Sequence, residues 1–281
     1  MSSFGFIHLA VVPLRAEASD SSEMVSQLLF GEALEVLQRL EKWSLVRNAA
    51  DCYEGWLDNK QYRPLSYEEY AVVVSWPYRA SAPLTPVLFN SVRLNIPMGS
   101  PLPATSIFCM GDINLQKMHA EGDKVARRTE MGMKGADKRV KAGSGNHTPN
   151  NIGVACTEPK DLARQLLHAP YLWGGKSLMG IDCSGLTQVV FSVCGIQLPR
   201  NASQQVLYGT RVSGFNALMP NDLCFFCNPQ GSIVHVGIYI GLGQIIHSSG
   251  RVRIDKLDEQ GIYNIEEHVL THTLKEMRRV M

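Results

Sequence analysis

The 281-residue sequence predicts an α+β chain in three parts, two small β-barrels followed by a domain of mixed helix and strand, on three observations. Residues 9–62 alternate short apolar runs with turn residues. Residues 70–118 do the same around six prolines. From Glu158 the apolar spacing turns helical and later returns to strands. Composition agrees: 45% of residues are hydrophobic, enough to build cores, and the net charge of +1 lacks the basic excess of a dedicated nucleic-acid-binding protein. The expected boundaries are 1–66, 67–150 and 151–281.

Each part follows from its own pattern. In the first, the runs 9–14, 24–30, 34–40, 43–46 and 55–57, with Ser19-Asp20-Ser21-Ser22 as one of the breaks, have the close spacing of a barrel. In the second, 72–75, 87–89, 92–96 and 107–110 read as strands. Residues 119–150 lose apolar periodicity and mix Arg127-Arg128 and Lys138-Arg139 with Glu121, Asp123, Glu130 and Asp137, which reads as a solvated hairpin and linker. In the third, Leu162, Leu166 and Leu167 mark a helix ended by Pro170.

Seven irregularly spaced cysteines argue for reduced thiols, hence for the cytoplasm. No apolar run reaches the roughly 18 residues of a helical span, so no membrane insertion is expected. Residues 4–14 superficially resemble an export signal, but His8 and Pro13 interrupt them and no basic residue precedes them. They read better as an opening strand.

The chemistry concentrates in Tyr171-Leu172-Trp173-Gly174-Gly175 and Asp182-Cys183-Ser184-Gly185, followed by Leu186, Val189, Val190 and Val193 at helical spacing and by Gly195 at the helix end. Cys183 then lies in or just before the first turn, where the positive end of the helix favours a thiolate. Most cysteines are small buried residues. That suits Cys156 and Cys194 but not Cys183, which sits in a polar, glycine-rich turn. A cysteine nucleophile needs a base. The segment 233–247 reads as a hairpin turning at Gly241-Leu242-Gly243, and a three-residue loop there opposes Ile240 to Gln244 and Gly237 to His247. His235 then shares a face with His247, one diagonal step away.

Together with Leu198-Pro199-Arg200, Ser203, Gln204 and Asp222-Leu223, these motifs resemble the NlpC family of papain-like cysteine peptidases, which cut bacterial cell-wall peptides. The first half resembles the paired bacterial SH3-like barrels that precede this domain in enzymes cleaving γ-D-glutamyl-diamino acid bonds of murein peptides. The resemblance implies Cys183 as nucleophile, His235 as general base, His247 as the orienting third residue, and Tyr171 as an oxyanion donor beside the Cys183 N–H. It implies substrate contacts by Trp173, Arg200 and Ser203, and a pocket for a free N-terminal L-alanine built from Glu32, Tyr53, Asp182 and Ser184. The implied partner is a murein-derived peptide, met during wall recycling. No cofactor and no nucleic acid are implied, and the oligomeric state stays open.

Two other readings exist: an inactive wall-peptide binder, and an amidase or endopeptidase acting on intact murein. Cys224-Phe225-Phe226-Cys227 has CxxC spacing but no second pair, so a zinc site is not expected. His8, His119, His147, His168, His268 and His272 show no partner pattern, and Asn146-His147-Thr148 fits a glycosylation sequon that has no role in a bacterial cytoplasmic protein.

Overall fold

The computed structural model describes residues 3–118, 126–127 and 158–281. The first barrel is a seven-stranded antiparallel sheet of Phe4–Phe6, Val11–Arg15, Met24–Leu29, Ala33–Arg39, Trp43–Asn48, Glu54–Asp58 and Arg63–Leu65. Strand alternation drives it: in Trp43–Asn48 every second residue is buried, and Val12, Leu14, Leu28, Leu34, Val46 and Leu57 meet in one core. The single opening strand expected over 4–14 is two strands, because the chain turns after Ile7.

Residues 72–75, expected as a strand, instead fall at the end of helix α1 (Tyr67–Val74). A capping box outweighs the three consecutive valines: the Ser66 hydroxyl accepts the Glu69 N–H and the Glu69 carboxylate accepts the Ser66 N–H. The second barrel follows, with Leu84–Phe89, Val92–Pro97, Ile107–Met110 and Ile113–Lys117 in one sheet and Tyr78–Arg79, Pro101–Leu102 and Ala126–Arg127 in another. Asn90 and Ser91, both at positive φ, make the two-residue hairpin between the first pair. The barrels are fused through an aromatic core in which Phe6 and Phe30 of the first meet Trp76 and Phe89 of the second. Of the basic stretch, only the strand Ala126–Arg127, paired with Tyr78–Arg79, is described. Arg128, Lys138-Arg139, His119, His147, the sequon and Cys156 lie outside the described residues.

In the third part, α2 (Pro159–Arg164) is shorter than its leucine spacing predicts, and His168 at φ +68° turns the chain to bond the Val252 carbonyl. A seven-stranded antiparallel sheet runs Thr210–Arg211, Val269–Arg279, Leu223–Cys227, Ile233–Gly241, Gln244–Ser249, Arg251–Leu257, Gly261–Asn264, and its last strand pairs back onto Val269–Arg279. Helix α3 (Cys183–Val193) lies against it, burying Leu186, Val190 and Val193 with Val236, Ile238 and Ile246. That packing brings the start of α3 to the middle of the sheet, where the histidines are.

Candidate active site

Cys183 is the first residue of α3, and Asp182 caps the helix by accepting the Gly185 N–H at 2.6 Å. A Cβ on Gly185 would stand 2.2 Å from the Gly175 carbonyl oxygen, so glycine lets the 174–175 loop press on this first turn. The thiol is 7% exposed. Burial, and then the Asp182 charge, push it up to about 11, against backbone hydrogen bonds from Val236 and Ser184 and the more distant Arg200. The helix terminus alone was expected to favour a thiolate; desolvation outweighs it. Burial also raises Tyr171, half-buried beside Cys183, to about 12.

The histidines share a face, but not by the expected loop. Gly237 opposes His247 as the spacing predicts, whereas Gly241, not Ile240, opposes Gln244. The loop has two residues, Leu242-Gly243, and an irregularity between Tyr239 and Gly241 restores the face that a two-residue loop would otherwise have lost. Nε2 of His235 lies 2.8 Å from Nδ1 of His247, and Nε2 of His247 lies 3.0 Å from the Asp255 carboxylate. Asp255 is ion-paired to Arg253 and accepts the Ile265 N–H. Burial would raise it, but bonds from His247 and Arg253 outweigh burial and hold it at about 2. Burial, and then the neighbouring histidines, push His235 well below the ordinary value, leaving a neutral imidazole.

Three members of this cluster escaped the sequence reading. His272 stacks on His235 with ring centroids 4.2 Å apart, and burial lowers it to about 4. Arg253 is directly opposite His247 across the sheet, with Asp255 one diagonal step further. The signal for the last two was present: the alternation Arg251, Arg253, Asp255 after the Gly250 turn. His272 had no such local signal, because its strand reaches the site from near the chain end.

Residues 168–271 match the NlpC/P60 family, and residues 14–61 match the bacterial dipeptidyl-peptidase SH3 domain. The chain therefore carries an NlpC/P60 domain behind a bacterial dipeptidyl-peptidase SH3 domain. A gamma-D-glutamyl-L-lysine dipeptidyl-peptidase of Bacillus cereus is 28% identical over 247 residues, covering 82% of this chain and 68% of that one. A probable endopeptidase p60 of Listeria monocytogenes is 42% identical over 100 residues, covering 35% of this chain and 20% of that one. The match therefore spans about two thirds of the first relative and a fifth of the second. A solved NlpC/P60 family protein from Bacillus cereus has the same fold, with a TM-score of 0.72 at 22% identity over 99% of both chains.

The first barrel is bonded to the NlpC/P60 domain beside Cys183. The indole N–H of Trp173, a 60% exposed side chain, donates to Glu23. The Lys176 N–H donates to Gln27, and Gln188 of α3 donates to Asp51. Arg200, expected to touch substrate, is instead 2% exposed and closed on the protein: it donates to both oxygens of Asp182, to the Ser184 hydroxyl and, through Nε, to Ser26 of the barrel. Glu32 is not an unpaired carboxylate either. It accepts the Leu29 N–H and pairs with the Lys176 ammonium at 3.1 Å. Tyr53 packs its ring against the barrel core with its phenol close enough to act on the Arg200 charge. Ser203 is exposed on the short helix α4 (Ala202–Gln205). Cys224, in a strand, faces a small core with Phe226 and Ile245, and among the described residues no group of three or more His, Cys, Asp or Glu side chains is arranged to hold a metal ion.

Proposed function

We propose that the protein hydrolyses the γ-D-glutamyl to diamino acid bond of murein stem peptides that carry a free N-terminal L-alanine, releasing L-Ala-γ-D-Glu inside the cell during wall recycling. The observation that carries this reading is the pairing of a cysteine–histidine–histidine set with a barrel bonded directly to the nucleophile's helix. The name of the Bacillus relative supports the same bond, and that of the matched SH3 domain supports release of a dipeptide.

Cys183 and His235 rest as neutral thiol and imidazole, so attack is general-base catalysed: Nδ1 of His235 takes the thiol proton as sulfur adds to the γ-carbonyl carbon. The oxyanion is held by the Cys183 N–H and the Tyr171 hydroxyl, which stays protonated because its value is raised. Collapse expels the diamino acid's amine, which takes the proton from His235 and leaves a thioester to L-Ala-γ-D-Glu. Water, deprotonated by His235, then hydrolyses the thioester and restores the thiol. His247 orients His235 throughout.

The paired state of Glu32 and Asp182 changes the expected basis of amine selectivity. Both carboxylates already have counter-charges, so a blocked alanine nitrogen would not strand them. Selectivity must come from the barrel closing one end of the cleft. Mass spectrometry of products from L-Ala-γ-D-Glu-L-Lys, its diaminopimelate analogue, and their N-acetyl and muramyl forms is the test. Release of L-Ala-γ-D-Glu from the free forms alone is expected. Equal cleavage of the muramyl forms would favour endopeptidase action on intact murein; the Listeria relative is named a probable endopeptidase.

A further inference from the structure

We propose that Asp255 is a positioning residue that sets the proton pattern of the histidine pair, acting through His247 to leave Nδ1 of His235 bare for the Cys183 thiol. The inference rests on His235 being the base. It follows from counting protons along one chain of contacts. An ionised carboxylate only accepts, so the hydrogen between Asp255 and His247 belongs to Nε2 of His247. A neutral imidazole carries one N–H, so Nδ1 of His247 is a lone pair. The 2.8 Å contact to it must then be donated by Nε2 of His235. The remaining nitrogen of His235, Nδ1, has no proton and can take one.

Arg253 keeps Asp255 in the acceptor state. Its Nε stands 2.7 Å from one carboxylate oxygen as an ion pair, although that N–H is not aimed at it, and its Nη2 donates to the other oxygen at 3.0 Å. Arg253 is itself held by Asn264 and Glu266. Asp255 is 2% exposed, so water does not substitute for it. The charged and titratable groups facing it are His247 and Arg253, with His235 and His272 behind the first and Glu266 behind the second.

Asp255→Asn is nearly isosteric but brings an amide donor. Donation to Nε2 of His247 would move that ring's proton to Nδ1, turn the inter-histidine bond round, and place a proton on Nδ1 of His235. The expected result is a kcat about a hundredfold lower with KM little changed, as when a neighbouring acid fixes the wrong tautomer. Nitrogen-15 spectra of the His235 ring should change from an Nε2–H to an Nδ1–H pattern. Asp255→Glu should keep the wild-type pattern and recover part of the rate. A wild-type kcat in Asp255→Asn, or an unchanged His235 pattern, overturns the proposal. If Asp255→Asn does not fold, the Asp255→Glu spectrum decides, and an Nδ1–H pattern there overturns it. Cys183→Ala, run alongside, separates the two failures: an inactive Cys183→Ala with a fully active Asp255→Asn removes only the role of Asp255, whereas turnover by Cys183→Ala removes the cysteine mechanism and this proposal with it.

Discussion

Two buried charge networks flank Cys183, and they differ in how they end. On one side Arg200, Asp182, Ser184, Ser26, Lys176 and Glu32 join the peptidase domain to the first barrel, with Arg200 bridging Asp182 and Ser26 and with Lys176 pairing Glu32. On the other, Arg253, Asp255, His247 and His235 form a line that ends on the second ring nitrogen of His235. The first network holds shape. The second has an open valence at its end, and a proton can move there. Charge and burial are alike in both, so neither alone identifies the catalytic one.

The largest effects break the second network at its reactive end. Cys183→Ala and His235→Ala should each abolish turnover of the tripeptide; Cys183→Ala should leave the thermal midpoint within a degree or two of wild type, whereas His235→Ala removes a buried ring stacked on His272 and bonded to His247 and should lower it. Arg200→Met should do the reverse. It leaves Asp182 buried without its partner, a loss of about 3–5 kcal/mol in chemical denaturation, and detectable activity should persist wherever the protein stays folded. A stable but inactive Arg200→Met would place Arg200 in the chemistry and erase the distinction drawn between the networks. His247→Asn should fall between, about tenfold slower, because an amide can still accept from Nε2 of His235 but no longer passes on the influence of Asp255.

The smallest effect is on pH. His235 is the working base only when neutral, and its value lies well below 6.5, so kcat/KM should stay flat from neutral down past the usual histidine range before falling. Stability has its own window. His272 titrates near 4 when folded and near 6.5 when unfolded, so its contribution is fully present above about 6.5 and is lost as pH falls towards 4. His272→Phe should flatten that part of the stability profile, read by denaturant melts at several pH values. Alkylation of Cys183 should also quicken as pH rises towards 11, without the low-pH plateau of a preformed ion pair.

The legible parts of the molecule were those with local signals. Strand alternation and turn clusters marked the first barrel, and helical spacing behind Asp182-Cys183-Ser184-Gly185 marked α3. α1 was missed because the three consecutive valines at its end read as a strand, while the Ser66–Glu69 cap that starts it lies further back in the sequence. The shared face of the two histidines was reached through a three-residue loop, whereas the chain combines a two-residue loop with a bulge, a local irregularity that residue counting does not reveal. Arg200 was expected to touch substrate because the family resemblance implied it. Its burial depends on the barrel folding over it, through Ser26, 174 residues away. Long-range closure of this kind leaves no periodic trace.

The most direct measurement is the mass of the trapped intermediate. Rapid acid quench of the protein mixed with L-Ala-γ-D-Glu-L-Lys, followed by intact and peptide mass analysis, should find the Cys183 peptide heavier by one alanyl-γ-glutamyl acyl group, with free lysine released in step. An adduct on any other residue, an acyl group that retains lysine, or cleavage by Cys183→Ala at the wild-type rate would contradict the account.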